Sequence, residues 1–333
     1  MTEIITLAPF DTGKAAAVTS HARIGDVTLP SRNTSAVARG GVISIGNFDG
    51  VHRGHAALLK VVRTLADELS APAIAVSLDP HPATILRPES APDRLMQMEQ
   101  RAERMSQYGI DQLLVCPVTT SFLGLSAKSF FKRLVVDQLS AKAMVEGPNF
   151  FFGKDRQGDA SMLKSLCGQH EVRLVFVNPT NDANEMVSST RIRRLISSGE
   201  ISAANQLLDA PYRLRGIVIA GDQRGRTIGF PTANLSQVGM LIPRSGVYGG
   251  KVNVDGELFS AAVHIGPNPT FDAATELKIE VHLLDFDGDL YGRDLDINFL
   301  FRVRNVDRFP SVDALVEQLE KDIEFIRRRI GSN

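Results

Sequence analysis

The chain has 333 residues, of which 43% are apolar, with 37 lysines and arginines against 38 aspartates and glutamates. That near-neutral balance leaves no general basic footprint for nucleic acid, and no stretch approaches the roughly 20 consecutive apolar residues that a membrane span requires. The length favours two domains over one core, and the two cysteines, Cys116 and Cys167, stand far apart in a pattern that suits neither a disulfide framework nor a metal site.

The first 40 residues are weakly patterned. Ile4, Ile5 and Leu7, and again Val27 and Leu29, suit short strands, and residues 31–39 read as polar loop. A basic start followed by an apolar stretch is missing, so a secretory leader is not expected. A cytoplasmic enzyme with buried, reduced thiols fits these features.

From Val42 onward strand and helix patterns alternate. Val42, Ile43 and Ile45 form a short β run that breaks at Gly46, turns through Asn47, Asp49 and Gly50, and becomes a helix. Leu58, Val62, Leu65 and Leu69 continue that helix at amphipathic spacing. His52 and His55 therefore stand at a helix mouth, where free N–H groups and the helix dipole attract phosphate. Two imidazoles add donors there. The alternative is a turn with two exposed histidines. The glycines flanking the H-x-G-H pair and the strand before it favour phosphate chemistry.

Residues 73–78 form an apolar run ending in Asp79-Pro80-His81-Pro82, residues 94–108 read as helix, and residues 113–118 as strand. Ser126 suits the N-cap of a helix through Leu139. A short strand over 143–145 leads into a glycine-marked loop, followed by a helix over 161–169 and a strand over 172–177. This alternation argues a parallel sheet with helices on both faces, whose ligands sit beyond the carboxyl ends of the strands. Near residues 201–211 the pattern changes to closely spaced β runs, with hairpin signals at Asp255-Gly256 and Asp287-Gly288. A small antiparallel barrel follows from that spacing. Ser311 suits the cap of a last helix, with Leu315, Leu319, Ile323, Ile326 and Ile330 on the face that closes the barrel. The arginine run 327–329 reads as a solvated helix end.

Three further segments join the histidine turn. SLDPHPATIL carries Asp79 and His81, EGPNFFFGKDRQGD carries Asn149, three phenylalanines and Gly153, and VSSTRIRRL carries Ser188, Ser189, Thr190 and Arg191 at a helix start. Taken singly, each has a plain structural reading: an N-cap, core aromatics, a turn-holding histidine. In the second half, GDQRGRTIGFPTANL brings three glycines, which let backbone N–H groups approach phosphate. Thr232 and Asn234 offer two neutral oxygens on one side of an extended segment. Glu280 is the one acid inside the apolar run KIEVHLL. A carboxylate there suits a base for an alcohol nucleophile.

GNFDGVHRGH resembles the H-x-G-H signature of the nucleotidylyltransferase superfamily. With the later segments, GFPTAN, GVYGGKV, HIGPNPTF and IEVHLLDFDGDLYG among them, the chain resembles the bacterial bifunctional riboflavin kinase/FAD synthetase (FMN adenylyltransferase) family over roughly residues 42–330. The resemblance implies an α/β fold: a Rossmann-like N-terminal nucleotidylyltransferase domain with a parallel sheet, and a small C-terminal antiparallel β-barrel closed by a helix. It implies residues 1–40 as an extension, 41–208 as FMN adenylyltransferase and 209–333 as riboflavin kinase. In the first domain it implies that Gly46, Asn47, Phe48, Asp49, His52, His55, Ser189, Thr190 and Arg191 bind ATP, with His52 and His55 catalytic, and that Asp79 and Asn149 lie at the flavin or nucleotide end. In the second it implies Gly221, Arg224, Gly225, Arg226, Gly229 and Pro231 around ATP and flavin, Thr232 and Asn234 holding Mg²⁺, and Glu280 as catalytic base. The expected small molecules are ATP, riboflavin, FMN and FAD; nucleic acid and membrane are not expected partners, and oligomeric state stays open. Leu78, where an aromatic residue is usual, and the N-terminal extension depart from the family pattern. Two rival readings are a nucleotidylyltransferase for another phosphate-bearing acceptor and a flavin-binding sensor with degenerate sites.

Overall fold

The computed structural model describes residues 1–7, 37–221, 224–267 and 277–331, without the side chains of Arg224 and Arg226. Contacts divide the chain into two compact units, Met1–Pro92 with Met98–Val187, and Asp93–Gln97 with Ser188–Asn333.

The first unit is built on six parallel strands: β1 (Glu3–Thr6), β2 (Val42–Gly46), β3 (Ala73–Asp79), β4 (Gln112–Pro117), β5 (Ala143–Glu146) and β6 (Arg173–Phe176). Their order is β1-β4-β3-β2-β5-β6. Val42, Ile43, Ile45 and residues 73–76 are all buried. Burial on both faces explains why these strands read as continuous apolar runs rather than alternating ones. Between β2 and β3 runs the helix Arg53–Glu68, which buries Ala56, Leu59, Val62, Leu65 and Ala66 along one stripe. The expected strand at Ile4 and Ile5 is β1, paired with β4; Val27 and Leu29 lie outside the described residues.

Caps follow the sequence closely. The Ser126 hydroxyl accepts from the Ser129 N–H at 3.1 Å, and Ala127–Phe130 leads into a π-helical segment, Phe131–Gln138. Asp159 caps Ala160–Gln169 in the same way. The helix expected over 94–108 occupies only Met98–Ser106. Its expected first turn is instead drawn out, with the Arg94 carbonyl accepting from the Leu241 N–H at 2.8 Å. A short ribbon of β7 (Asn181–Asp182) and β8 (Glu185–Met186) ends the unit.

The second unit begins with helices Ser189–Ser198 and Ile201–Leu207. It continues as β9 (Arg213–Ile219), β10 (Ala233–Ser236), β11 (Gly246–Val254), β12 (Glu257–Pro267), β13 (Leu277–Leu283) and β14 (Asp294–Arg304). These close a barrel in the order β10-β13-β12-β11-β14-β9, which removes free strand edges. Asp255 and Gly256 both take positive φ, 53° and 92°, as a tight hairpin turn between β11 and β12 requires. Asp287-Gly288 is different. It lies between β13 and β14, which are not neighbours in the barrel, so it marks a crossover and the expected hairpin there is corrected. Ser311 caps the last helix through the Ala314 N–H at 3.2 Å. That helix, Val312–Gly331, seats Ile326 and Ile330 against Leu284 and Phe301 on the barrel wall. At its end Arg327 pairs with Asp285 at 2.7 Å, and Arg329 stacks 4.7 Å over the Phe301 ring. Cys116 and Cys167 are free and buried, and burial pushes the Cys116 thiol up to about 12.

Candidate active sites

In the first unit the chain runs from β2 to β3 and β4 on one side and reaches β5 and β6 on the other. The direction reverses between β2 and β5, and an open parallel sheet binds ligands at such a point, beyond the strand ends. The histidine turn leaves the sheet there. Phe48, Gly50 and Val51 take φ of 49°, 88° and 38°; at the two non-glycine positions a left-handed backbone costs roughly 1–2 kcal/mol each. The Phe48 side chain is buried and lies 5.2 Å from the His55 ring.

His52 is the N-cap of Arg53–Glu68, its Nδ1 accepting from the His55 N–H at 3.3 Å. The two imidazoles stack at 3.7 Å and 14°. Burial first, then the neighbouring His52 and Arg101, hold the His55 imidazole well below its ordinary value. Among the described residues, Asn47 Oδ1 and His55 Nδ1 are buried without a hydrogen-bond partner, which fits two groups that can meet a ligand.

Asp79 ends β3, beside β2. His81 caps the short helix Pro82–Leu86, its Nδ1 accepting from the Ala83 N–H at 3.1 Å. Asn149 follows β5, is exposed, and its side chain reaches Met186 Sδ at 3.9 Å. The loops carrying Asp79 and Asn149 thus flank the histidine turn on its two sides. Of the three phenylalanines, Phe152 is core, Phe150 packs against that core, and Phe151 is exposed beneath the Arg156 guanidinium at 4.5 Å. Gly153 takes φ of 76°, and a Cβ there would lie 2.5 Å from the Ala127 backbone nitrogen, so only glycine fits. Ser188, Ser189, Thr190 and Arg191 belong to the second compact unit. Ser188 caps Ser189–Ser198 by accepting from the Arg191 N–H at 3.3 Å.

In the barrel, Asn234 stands opposite Glu280, and Glu280 opposite His264, across β10, β13 and β12. Directly opposed residues share a face, so the three form one row. They line a cavity of about 720 Å³ together with Val312, Leu315, Leu319 and Ile323 of the last helix and the charged Arg304, Asp307 and Asp322. Asn234 is 6% exposed, and among the described residues its Oδ1 has no hydrogen-bond partner. Thr232 lines the same cavity, two residues away. Lys278 Nζ lies 3.1 Å from Glu280 Oε1 and His264 Nδ1 lies 3.4 Å from Oε2. His264 first, then Lys278, hold the Glu280 carboxyl below its ordinary value against the opposing effect of burial.

The glycine loop reaches the same place. A Cβ at Gly221 would meet the Asn234 side chain at 2.1 Å, and one at Gly225 the Phe230 carbonyl at 2.3 Å. Gly229 takes φ of 87°, and the Pro231 carbonyl lies 2.8 Å from His282 Nδ1. The side chains of Arg224 and Arg226 are outside the described residues; their backbone forms a single helical turn, Arg224–Thr227.

The family model described as FAD synthetase matches residues 34–191, and that described as riboflavin kinase matches residues 208–330. The chain belongs to the bifunctional riboflavin kinase/FMN adenylyltransferase family. Relatives carrying that name include one from Haemophilus influenzae, 36% identical over 88% of this chain and 95% of its own. Another, from Listeria monocytogenes, is 39% identical over 84% of this chain and 90% of its own. A crystal structure described as a macrolide-efflux protein from Streptococcus pneumoniae aligns with a TM-score of 0.79 at 33% identity, covering 87% of this chain and 94% of that one. The shared architecture, and not that protein's described role, is what the match conveys. Among the described residues no helix is long and apolar enough to cross a membrane.

Four polar groups beside these sites escaped the sequence reading. Arg101 and Glu146 sit in an amphipathic helix and at a strand end, where a charged residue reads as exposed; His264 and Lys278 alternate with apolar residues and read as an outward strand face. The alternation carried the signal: His264, Lys278 and Glu280 share the outer face of the barrel that the last helix covers.

Proposed function

We propose that this transferase makes FMN from riboflavin and ATP in the barrel cavity, and FAD and pyrophosphate from FMN and ATP at the histidine turn. The observation that carries the assignment is the Asn234–Glu280–His264 row in a cavity that apolar residues of the last helix also line. A ribityl hydroxyl is a poor nucleophile until its proton is removed. Glu280, kept ionised by its neighbours, accepts that proton. The apolar wall takes the flavin ring, and the glycine loop, with Gly221, Gly225, Gly229 and Pro231, faces the ATP phosphates; Arg224 and Arg226 are proposed as further contacts.

Mg²⁺ fits the same cavity. The orphaned Asn234 Oδ1 and the nearby Thr232 hydroxyl are neutral oxygens. A hard cation that keeps most of its coordination for phosphates and water suits such a pair. When bound, the ion neutralises charge on the transferring phosphates.

At the first site the reaction needs no general base, because a phosphate monoester with second pKa of about 6 is already anionic near neutrality. Gly46, Asn47, Phe48 and Asp49 shape the turn. His52 Nδ1 is engaged as an acceptor, so neutral His52 carries its proton on Nε2 and offers it to phosphate. His55 joins it at the helix mouth. Ser189, Thr190 and Arg191 are proposed as the remaining ATP contacts, and Asp79 and Asn149 as contacts at the flavin or nucleotide end. The division proposed is an extension over 1–40, an adenylyltransferase over 41–208 and a kinase over 209–333, in a cytoplasmic enzyme that engages neither membrane nor nucleic acid. The two family matches, ending at 191 and beginning at 208, support it.

Purified protein incubated with ATP and Mg²⁺, once with riboflavin and once with FMN, is expected to yield FMN and FAD by chromatography. Protein that turns over neither flavin would refute the reading.

A further inference from the structure

Beneath the histidine turn lies a buried ion pair whose carboxylate, Asp49, belongs to the turn and whose cation, Arg101, has no part in the reaction scheme. Asp49 and Arg101 are 3% and 4% exposed. The Arg101 guanidinium donates to the Asp49 carboxylate at 3.0 Å, to the Asn47 carbonyl at 2.9 Å and to the Ser77 hydroxyl at 3.2 Å. Ser77 in turn donates to the same Asn47 carbonyl at 3.2 Å. One side chain from the helix Met98–Ser106 thus grips both ends of a turn whose middle residue, Phe48, is left-handed.

The chemistry of the turn explains why a cation belongs there. A helix mouth that receives a polyphosphate gains from its own positive end. Here a buried carboxylate, Asp49, sits three residues before the cap His52. In a low-dielectric setting an uncompensated carboxylate repels a polyanion strongly. A planar guanidinium can neutralise it and fix the Asn47 carbonyl at the same time, which a point-charge ammonium does less well.

We propose that Arg101 is a positioning residue for adenylyl transfer: it holds the Asn47–Asp49 turn in its ATP-receiving shape and cancels the Asp49 charge that would otherwise oppose the ATP phosphates. The inference rests on the reading of the histidine turn as the adenylyltransferase site. It acts through Asn47 and Asp49 and needs no contact of Arg101 with substrate.

The test uses the full chain, with steady-state kinetics of FAD formation from FMN and ATP and of FMN formation from riboflavin and ATP. Arg101→Met is expected to raise KM for ATP in FAD formation by about tenfold or more and to lower kcat. KM for FMN and the riboflavin kinase rate stay near the parent values. Arg101→Lys keeps the charge and recovers part of the loss. Asp49→Asn combined with Arg101→Met removes the charge to be cancelled and lowers KM for ATP again. That last variant also leaves no unpaired buried ion, so it decides the matter where Arg101→Met alone fails to fold. Wild-type ATP kinetics in Arg101→Met would overturn the proposal, as would a folded double variant whose KM for ATP remains about tenfold or more above the parent value. His55→Ala separates the two ideas: if FAD formation survives that change, the reading of the turn itself fails, whatever Arg101 does.

Discussion

Asn234 on β10 and Glu280 on β13 stand directly opposite one another, and their side chains leave the barrel wall on the same side. One offers a neutral oxygen with no hydrogen-bond partner among the described residues, and the other a carboxylate. A site that must hold a cation at phosphate and take a proton from an alcohol needs both, close together but with separate duties. Putting the carboxylate on the metal would spend the base.

Glu280→Gln keeps the shape and one acceptor oxygen but cannot take the proton. Riboflavin phosphorylation is expected to fall by about 10²–10⁴-fold, the usual contribution of a positioned base. FAD formation from supplied FMN stays near normal. Two initial-rate assays on one variant check this, and equal losses in both would point to a damaged fold instead. The pH dependence follows from the neighbours. His264 and then Lys278 hold Glu280 below its ordinary value, so the proposed base stays ionised as pH falls toward the ordinary carboxylate range. Replacing His264 with Ala is expected to move the acid limb of the kinase kcat/KM profile to higher pH.

The proposed Mg²⁺ ligands, Thr232 and Asn234, supply neutral oxygens, and Mg²⁺ dehydrates reluctantly for so few protein ligands. Calorimetric titration of nucleotide-free protein with Mg²⁺ should show weak binding that strengthens when ADP or ATP is present. Tight binding without nucleotide would place the metal on other ligands.

Much of this was legible in the sequence, for physical reasons that differ by element. The histidine turn was readable because a β run, glycines and an amphipathic helix are all local signals. The strand β10 was not: four residues, Ala233–Ser236, are too short for a period-two pattern. Nor was the β13–β14 connection, because a turn dipeptide shows that the chain bends and not which strand it meets next. Arg101 and Glu146 were missed for a related reason. Their partners, Asp49 and Ile45, lie 52 and 101 residues away, and no spacing rule spans such distances.

The helix Ile201–Leu207 bears on how the kinase part is bounded. Asn205 accepts from the Tyr212 N–H at 2.8 Å and donates to the Phe299 carbonyl at 2.8 Å, tying the helix to the start of β9 and to β14. A fragment of residues 209–333 is expected to phosphorylate riboflavin and make no FAD. A fragment of residues 188–333 should do the same with a higher melting temperature, because it keeps those bonds and buries Ile201, Ala204 and Leu207. Identical melting temperatures would mean that the helix adds nothing to the barrel's stability.

Glu146 gives the last prediction. The β2–β5 ladder pairs Val42 with Ala143 and Ile43 with Met144 and goes no further. Beyond it the Ile45 N–H donates to the Glu146 side chain at 2.7 Å, so a carboxyl closes the gap where the two strands part. Glu146 is 2% exposed, and burial pushes it well above its ordinary value, the Ile45 hydrogen bond opposing the shift only in part. A folded-state value above the unfolded one means that the native state binds the proton more tightly. Stability from this group is therefore complete below the ordinary carboxylate value of 4.5 and is lost as pH rises toward and through the folded-state value. Glu146→Gln keeps a carbonyl acceptor for Ile45 and cannot ionise. Its melting temperature should match that of the parent protein near pH 4.5 and exceed it increasingly toward pH 8. Calorimetric scans of both proteins across that range measure the difference directly. A gap that stays constant with pH, or that shrinks as pH rises, would show that Glu146 is ionised in the folded protein and that the Ile45 N–H holds a carboxylate there.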